Sequence, residues 1–230
     1  MKKHLLAFSV IISLAASAAV GQSHFEKRMV EIKAEVAALP PETTGTIAMV
    51  GDSITEGFFK VDVMPKEIHG LRVVNHGIGG DQIGTTTSTI GVMSRLDEIT
   101  KSKPAVIFLM IGINNMWDRS VQADTLIGYY ETLLPALQKA APDAKIVVQS
   151  VLPTRDDNSY TNKNVFIINW HLEKMAAKNG AEWLDLTPIM SDDQNLLKAE
   201  FTGDAVHLKP EAYKLWLEQI EAKSAELLKK

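Results

Sequence analysis

Apolar residues are arranged along this chain in two alternating ways. Short unbroken runs are separated by longer stretches in which apolar positions recur every three or four residues. The short runs predict buried strands at 46–50, 71–75, 104–111, 145–151 and 183–186. Val106-Ile107-Phe108-Leu109-Met110-Ile111 is apolar throughout, as a strand covered on both faces must be. The longer stretches predict amphipathic helices. The first, 23–39, opens on the capping box Ser23-His24-Phe25-Glu26 and faces inward through Phe25, Met29, Ile32 and Val36. Pro40-Pro41 stops it. The second, 124–140, aligns Leu126, Tyr130, Leu133 and Leu137, and Pro135 is expected to kink or shorten it. The third, 161–178, aligns Val165, Ile168, Leu172 and Met175. The last follows Pro210, a favourable first helical position, and aligns Tyr213, Trp216, Leu217, Ile220 and Leu227.

Strands alternating with helices across short connections predict an α/β fold on a mostly parallel sheet. No repeat, low-complexity linker or composition break marks a second domain, so 22–230 is expected to be one domain. In such sheets ligands bind beyond the carboxyl ends of the strands. The residues that follow each strand therefore belong to one candidate site.

The N-terminus follows a different pattern. Lys2 and Lys3 precede the apolar stretch Leu5–Leu14, and the small residues Ala15-Ala16-Ser17-Ala18-Ala19-Val20-Gly21 come next. This is the three-part form of a secretory signal peptide, too short for a membrane span. Cleavage fits after Ala18 or after Gly21. The second is favoured, giving a signal of 1–21, Gln22 as first residue, and a periplasmic or extracellular protein.

The 230 residues are 23% charged and 46% hydrophobic, the balance of a globular chain. Removing 1–21 takes away Lys2, Lys3 and no acid, so the formal net charge moves from −4 to −6. An acidic surface does not suit nucleic acid or anionic membranes as partners. With no cysteine in the chain, a thiol nucleophile, a thiolate metal site, a lipidated cysteine and disulfides are all excluded.

The first strand ends in Gly51-Asp52-Ser53. Alone, that run is turn and capping chemistry as readily as it is a nucleophile at a helix start. The second strand runs into Asn75-His76-Gly77-Ile78-Gly79-Gly80-Asp81, and the third into Gly112-Ile113-Asn114-Asn115. Asp204-Ala205-Val206-His207 precedes the last helix. A serine esterase needs a nucleophile, a base, an orienter of the base and an oxyanion hole. Ser53, His207 and Asp204 can supply the first three. The Gly80 N–H and the Asn114 amide can supply oxyanion donors, each worth ~2.7–4 kcal/mol in a transition state. Other readings stand beside these. Asp204 and His207 can cap the last helix, and Asn114-Asn115 can form a turn. The glycine loop fails as a phosphate cradle: Gln82 stands where a dinucleotide fingerprint needs its third glycine, and Thr85 follows Gly84 where a P-loop needs lysine. His76 has no carboxylate partner in view and reads as structural.

The four segments, in this order and at these separations, resemble the four blocks of the SGNH (GDSL-type) hydrolase family. The resemblance runs from Thr46 to the last helix, with Ile54-Thr55 where the family's nickname has Leu. The Gly-Ile-Gly-Gly-Asp and Gly-x-Asn-Asn forms are most similar to the platelet-activating-factor acetylhydrolase catalytic subunit and to exported bacterial acetylesterases. The resemblance implies a flavodoxin-like three-layer α/β/α sandwich with a five-stranded parallel sheet. It implies Ser53 as nucleophile, Asp204 and His207 as its triad partners, and an oxyanion hole of the Ser53 N–H, Gly80 and Asn114. No metal or organic cofactor is required.

The expected substrate is a small-molecule or glycan ester with a short acyl group, a carbohydrate O-acetyl ester first. Trp117 is the candidate substrate-binding residue, able to stack on a sugar ring or to serve as a core or rim residue. The loop Asp156-Asp157-Asn158-Ser159-Tyr160 can contact hydroxyls or be merely solvated. A lysophospholipase or thioesterase with a longer acyl chain is the alternative, with Phe58 and Phe59 as tunnel residues if helix packing does not claim them. A non-catalytic carbohydrate-binding protein on the same fold is the alternative of a different class. Stable membrane association is not expected, and nothing in the sequence sets the oligomeric state.

Overall fold

The structure is a computed structural model and describes residues 24–117, 121–155 and 159–229. The segment read as a signal peptide, the capping residue Ser23 and the loop residues 156–158 lie outside the described residues. Helix α1 covers 24–37 and ends before Pro40-Pro41. The chain continues through β1 (Thr46–Gly51), α2 (Ser53–Lys60), β2 (Glu67–Ile68) and β3 (Leu71–Gly77). A 3-10 turn at Val92–Arg95 leads into α3 (Leu96–Lys101), then β4 (Pro104–Met110), α4 (Ile113–Met116), α5 (Ala123–Ala140) and β5 (Lys145–Gln149). α6 (Ser159–Lys178), β6 (Glu182–Leu184), α7 (Thr187–Met190), a 3-10 turn at Ala199–Phe201 and α8 (Pro210–Leu228) complete it.

The sheet order is β2-β3-β1-β4-β5-β6, and β3, β1, β4, β5 and β6 are parallel. These five are the expected flavodoxin-like strands. The sheet has six strands rather than five because β2 folds back antiparallel on the edge of β3, pairing Glu67 with Arg72 and Ile68 with Leu71. His69 and Gly70 make that hairpin with φ of 51° and 79°, the left-handed backbone of a two-residue turn. A two-residue strand is too short for any hydrophobic alternation to reveal.

From β1 the chain crosses to β3 on one side, then returns past β1 to β4, β5 and β6 on the other. Right-handed crossovers therefore put α2 on one face of the sheet and α3, α5 and α6 on the opposite face. On the first face Phe58 of α2 stacks 4.7 Å from both Tyr213 and Trp216 of α8. β1 is buried at every position because it lies between two parallel neighbours and two helical layers. Its register sets Val50 beside His76 and Leu109, and Gly51 beside Gly77 and Met110. The carboxyl ends of three adjacent strands thus align.

Pro135 neither ends nor shortens α5, which continues to Ala140. Pro135 lies on the exposed face of the helix. Among the described residues, no helix is long and apolar enough to cross a membrane.

Two arginines, Arg28 and Arg95, are buried. Arg28 of α1 donates to the carbonyls of Asn75 at 2.7 Å and Gly77 at 3.1 Å, closing the end of β3. Arg95 reaches Asp81 Oδ2 with Nε at 3.0 Å and Nη2 at 2.7 Å, and both side chains are almost completely buried. Removing one partner of such a pair strands the other charge. Arg95→Leu is expected to lower the unfolding free energy by about 3–5 kcal/mol, measured by urea denaturation at neutral pH.

Candidate active site

β1 ends in glycine because no side chain fits there: a Cβ on Gly51 would collide with Thr55 Oγ1 and the Met110 carbonyl. Asp52 follows as the cap of α2, its Oδ1 accepting the Ile54 N–H at 3.0 Å. Ser53 is then the first residue of the helix, and its own N–H has no intrahelical acceptor. Asp52 is fully buried. Burial pushes its carboxyl up to about 7; the Ile54 N–H resists and the charge of Asp81 adds to the rise.

Ser53 Oγ lies 2.9 Å from His207 Nε2, and His207 Nδ1 lies 2.6 Å from Asp204 Oδ2. The structure therefore brings the three predicted residues into one hydrogen-bonded chain. Asp204 and His207 sit at the tip of a loop closed by an antiparallel bridge between Thr202 and Leu208. Asp204 Oδ1 accepts the N–H groups of Val206 at 3.0 Å and His207 at 2.8 Å, which fixes the turn. Ala205 adopts φ 73° there, and its carbonyl accepts the Arg155 N–H at 2.8 Å from the loop after β5. A left-handed L-residue costs ~1 kcal/mol, so the surrounding bonds must hold it. The pair does not cap α8, whose cap is Lys209 with no side-chain bond.

Burial works against the charge on Asp204, but the bonds from the His207 ring and the His207 and Val206 N–H groups outweigh it. They hold the carboxyl at about 2. An ionised carboxylate only accepts, so His207 Nδ1 carries the proton and Nε2 is left to accept from the Ser53 hydroxyl. Both side chains are about half exposed, 51% for His207 and 58% for Asp204, so the site opens directly to solvent.

The glycine loop after β3 is held donor by donor. The Gly77 N–H donates to Asn75 Oδ1 at 2.7 Å and the Ile78 N–H to the Gly51 carbonyl at 3.1 Å. The Gly79 N–H donates to Glu56 Oε2 at 2.5 Å and the Asp81 N–H to the Ile78 carbonyl at 3.0 Å. Among the described residues the Gly80 N–H has no acceptor, and Gly80 takes φ 77° with open space where a side chain would stand. From the next strand end, Asn114 Nδ2 donates to the Asp81 carbonyl at 2.8 Å, and Asn115 Oδ1 accepts the Ile83 N–H at 3.1 Å. Asn114-Asn115 is thus a helix start that clamps the glycine loop. An amide nitrogen carries two hydrogens, so Asn114 keeps one to donate elsewhere.

His76 is fully buried on β3 with Nε2 3.1 Å from Ser102 Oγ, and burial lowers its pKa to about 3. It stays neutral inside the sheet, away from Ser53. Trp117 is 41% exposed one helical turn beyond Asn114, which removes the core reading. Helix packing accounts for Phe58, which is core, and not for Phe59, which lies exposed beneath the Arg28 guanidinium at 5.0 Å. Among the described residues, no cluster of three or more His, Asp or Glu side chains could hold a metal ion.

Sequence reasoning missed the residues that hold the site from behind: Arg28, Glu56, Arg95 and Tyr213, whose hydroxyl donates to the Ile54 carbonyl at 2.7 Å. Arg28 had a signal, a charge on the same helical face as Phe25 and Ile32. The others bond partners that only the folded sheet brings near.

A flavodoxin-like sandwich with such a cluster at its strand ends defines a class, the carboxylic ester hydrolases built on this fold. The chain belongs to the GDSL-like lipase/acylhydrolase family, which matches residues 49–215. No curated protein matches the chain. A solved structure from Streptococcus pneumonia, described as a platelet activating factor, is similar at 19% identity, covering 93% of this chain and 98% of that one, with a TM-score of 0.73. A GDSL-like lipase from Bacteroides thetaiotaomicron is 21% identical over 84% of this chain and 97% of its own, with a TM-score of 0.65. An acetyl-xylooligosaccharide esterase from Geobacillus stearmophilus is 18% identical over 77% of this chain and 94% of its own, with a TM-score of 0.58. At these identities the likeness is one of fold.

Asp52 makes a pH-dependent contribution to stability. Unfolded, its carboxyl ionises near 3.8; folded, it keeps its proton until about 7. Stability falls as pH rises through that window, because the unfolded state loses its proton first. Asp52→Asn keeps an oxygen for the Ile54 N–H without the charge. Urea midpoints from pH 4 to 8 are expected to decline less in this variant than in the parent.

Proposed function

We propose that the protein is an exported serine esterase that removes short acyl groups, acetyl first, from hydroxylated alcohols, carbohydrate O-acetyl esters foremost. The observation that carries the reading is the hydrogen-bonded chain from Ser53 through His207 to Asp204. His207 Nε2 takes the Ser53 proton as Oγ attacks the ester carbonyl carbon. The oxyanion is received by the N–H groups of Ser53 and Gly80 and the free hydrogen of the Asn114 amide. The tetrahedral centre collapses, the C–O bond to the alcohol breaks, and the alcohol leaves with the proton from His207. Water, deprotonated by His207, then attacks the acyl-serine, and carboxylic acid departs as Ser53 regains its proton. Ionised Asp204 stabilises the imidazolium in both steps.

Three features support a short acyl group on a polar alcohol. His207 and Asp204 are half exposed, and Phe58 is buried in the core, where it cannot line an acyl tunnel. A cleft of about 250 Å³ is lined by Gln82, Gly84, Thr85, Ser88, Asn115, Val121 and Tyr129, a mostly polar set with hydroxyl and amide groups suited to a polyhydroxylated molecule. Trp117 is exposed one helical turn beyond Asn114. The acetyl-xylooligosaccharide esterase with the same fold makes a sugar ester a natural first substrate to try. Export rests on the signal-like 1–21 segment.

Ser53→Ala and His207→Ala are expected to lower kcat on p-nitrophenyl acetate by about 10⁴-fold with the fold intact by circular dichroism. Wild-type turnover in a folded Ser53→Ala variant would remove the proposal. In a series of p-nitrophenyl esters, kcat/KM is expected to be highest for acetyl and to fall by at least about tenfold at octanoyl; a maximum at octanoyl or longer would replace this reading with the lipid one.

A further inference from the structure

Oxyanion donors work only if they are already aimed. The Gly80 N–H sits in a loop of small residues, and such a loop needs something rigid to hold it. Its nearest charged contact is Glu56, one turn into α2 from Ser53 and largely buried. Glu56 Oε2 accepts the Gly79 N–H at 2.5 Å and faces His24 Nε2 at 2.9 Å; Oε1 faces Lys60 Nζ at 3.1 Å. Position 79 is shaped for this contact: a Cβ there would stand 3.0 Å from His24 Nε2 and 3.2 Å from Glu56 Oε2. A side chain would push the carboxylate off the N–H it holds.

We infer that Glu56 is a positioning residue for the oxyanion hole, fixing the Gly79–Gly80 backbone so that the Gly80 N–H points at the position the oxyanion will occupy. The inference rests on the esterase reading above. The same helix that carries Ser53 at its first position carries Glu56 three residues later. The nucleophile and the brace of one oxyanion donor are therefore parts of one rigid element, and their relative placement is set by helix geometry. A bare carboxylate near an oxyanion would oppose it. Lys60 and His24 share that charge: burial pushes the Glu56 carboxyl up, while the bonds from His24, Gly79 and Lys60 prevail and hold it below the ordinary value. His24 does this from α1, which also braces the end of β3 through Arg28.

The test compares Glu56→Ala, Glu56→Gln and Ser53→Ala on p-nitrophenyl acetate, together with inhibition by a short alkyl boronic acid, which takes up a tetrahedral anion on the serine. Glu56→Ala is expected to lose about 10- to 100-fold in kcat, the usual effect of a displaced donor, with KM within about twofold. Boronate affinity should weaken in parallel. Glu56→Gln, which keeps an oxygen for the Gly79 N–H, should recover most of the loss. A folded Glu56→Ala enzyme with unchanged kcat and boronate affinity overturns the inference, as does a Glu56→Gln enzyme as impaired as a folded Glu56→Ala. If Glu56→Ala does not fold, Glu56→Gln decides alone: boronate affinity and kcat near those of the parent support the brace, and a large loss of both overturns it. If Ser53→Ala remains active, the esterase reading itself fails. If it is dead while folded Glu56→Ala is fully active, only the role of Glu56 fails.

Discussion

The carbonyl of Gly51, at the end of the central strand, is where the molecule is tied together. It accepts the Ile78 N–H at 3.1 Å and Arg95 Nη2 at 3.3 Å. The first bond joins the nucleophile strand to the glycine loop. The second joins it to Asp81 through the buried ion pair, and Asp81 in turn receives the amide of Asn114. Three strand ends are thereby locked to one backbone oxygen. The lock requires that nothing project from position 51, since Thr55 and the Met110 carbonyl already occupy that space. The rest of the site is built outward from this close approach.

Two carboxylates flank Ser53 in the chain of contacts, and their surroundings drive them opposite ways. Asp52, sealed under the helix start, is pushed up to about 7 by burial. Asp204, at an open loop tip with three donors aimed at it, is held at about 2. Identical chemistry thus gives a neutral structural cap on the inside and a permanent anion on the outside, where an imidazole needs orienting. The glycine loop has the same division of labour. Among the described residues, every N–H of the loop from Gly77 to Asp81 has an acceptor except that of Gly80. A donor left free among neighbours that are all engaged is available without reorganisation.

The five parallel strands and long helices were legible because each buries enough apolar surface to impose its period on the sequence. The segments that carry Ser53, Gly80, Asn114, Asp204 and His207 were legible as ones that follow the strands and meet at one end of the sheet, because they keep the spacing that their strand ends demand. β2 was not, being two residues long. Pro135 does not shorten α5, whose packed face carries the helix on to Ala140. Arg95 and Glu56 were invisible for a further reason: their partners, Asp81 and Gly79, are 14 and 23 residues away, and neither pairing follows any local period.

Sequence by itself determined the layers, the order of elements and the identity of the groups that meet at the strand ends, since hydrophobic periodicity and turn chemistry are local properties. It also left several of those groups with two readings each. Only the tertiary structure decided between them: that Asp204 and His207 turn toward Ser53 and leave α8 to Lys209, that Asn114 and Asn115 clamp a loop, that Trp117 is outside the core. Those choices depend on which donor lies within 3 Å of which acceptor after distant segments pack, and distance through space is set by the sheet register and not by position along the chain.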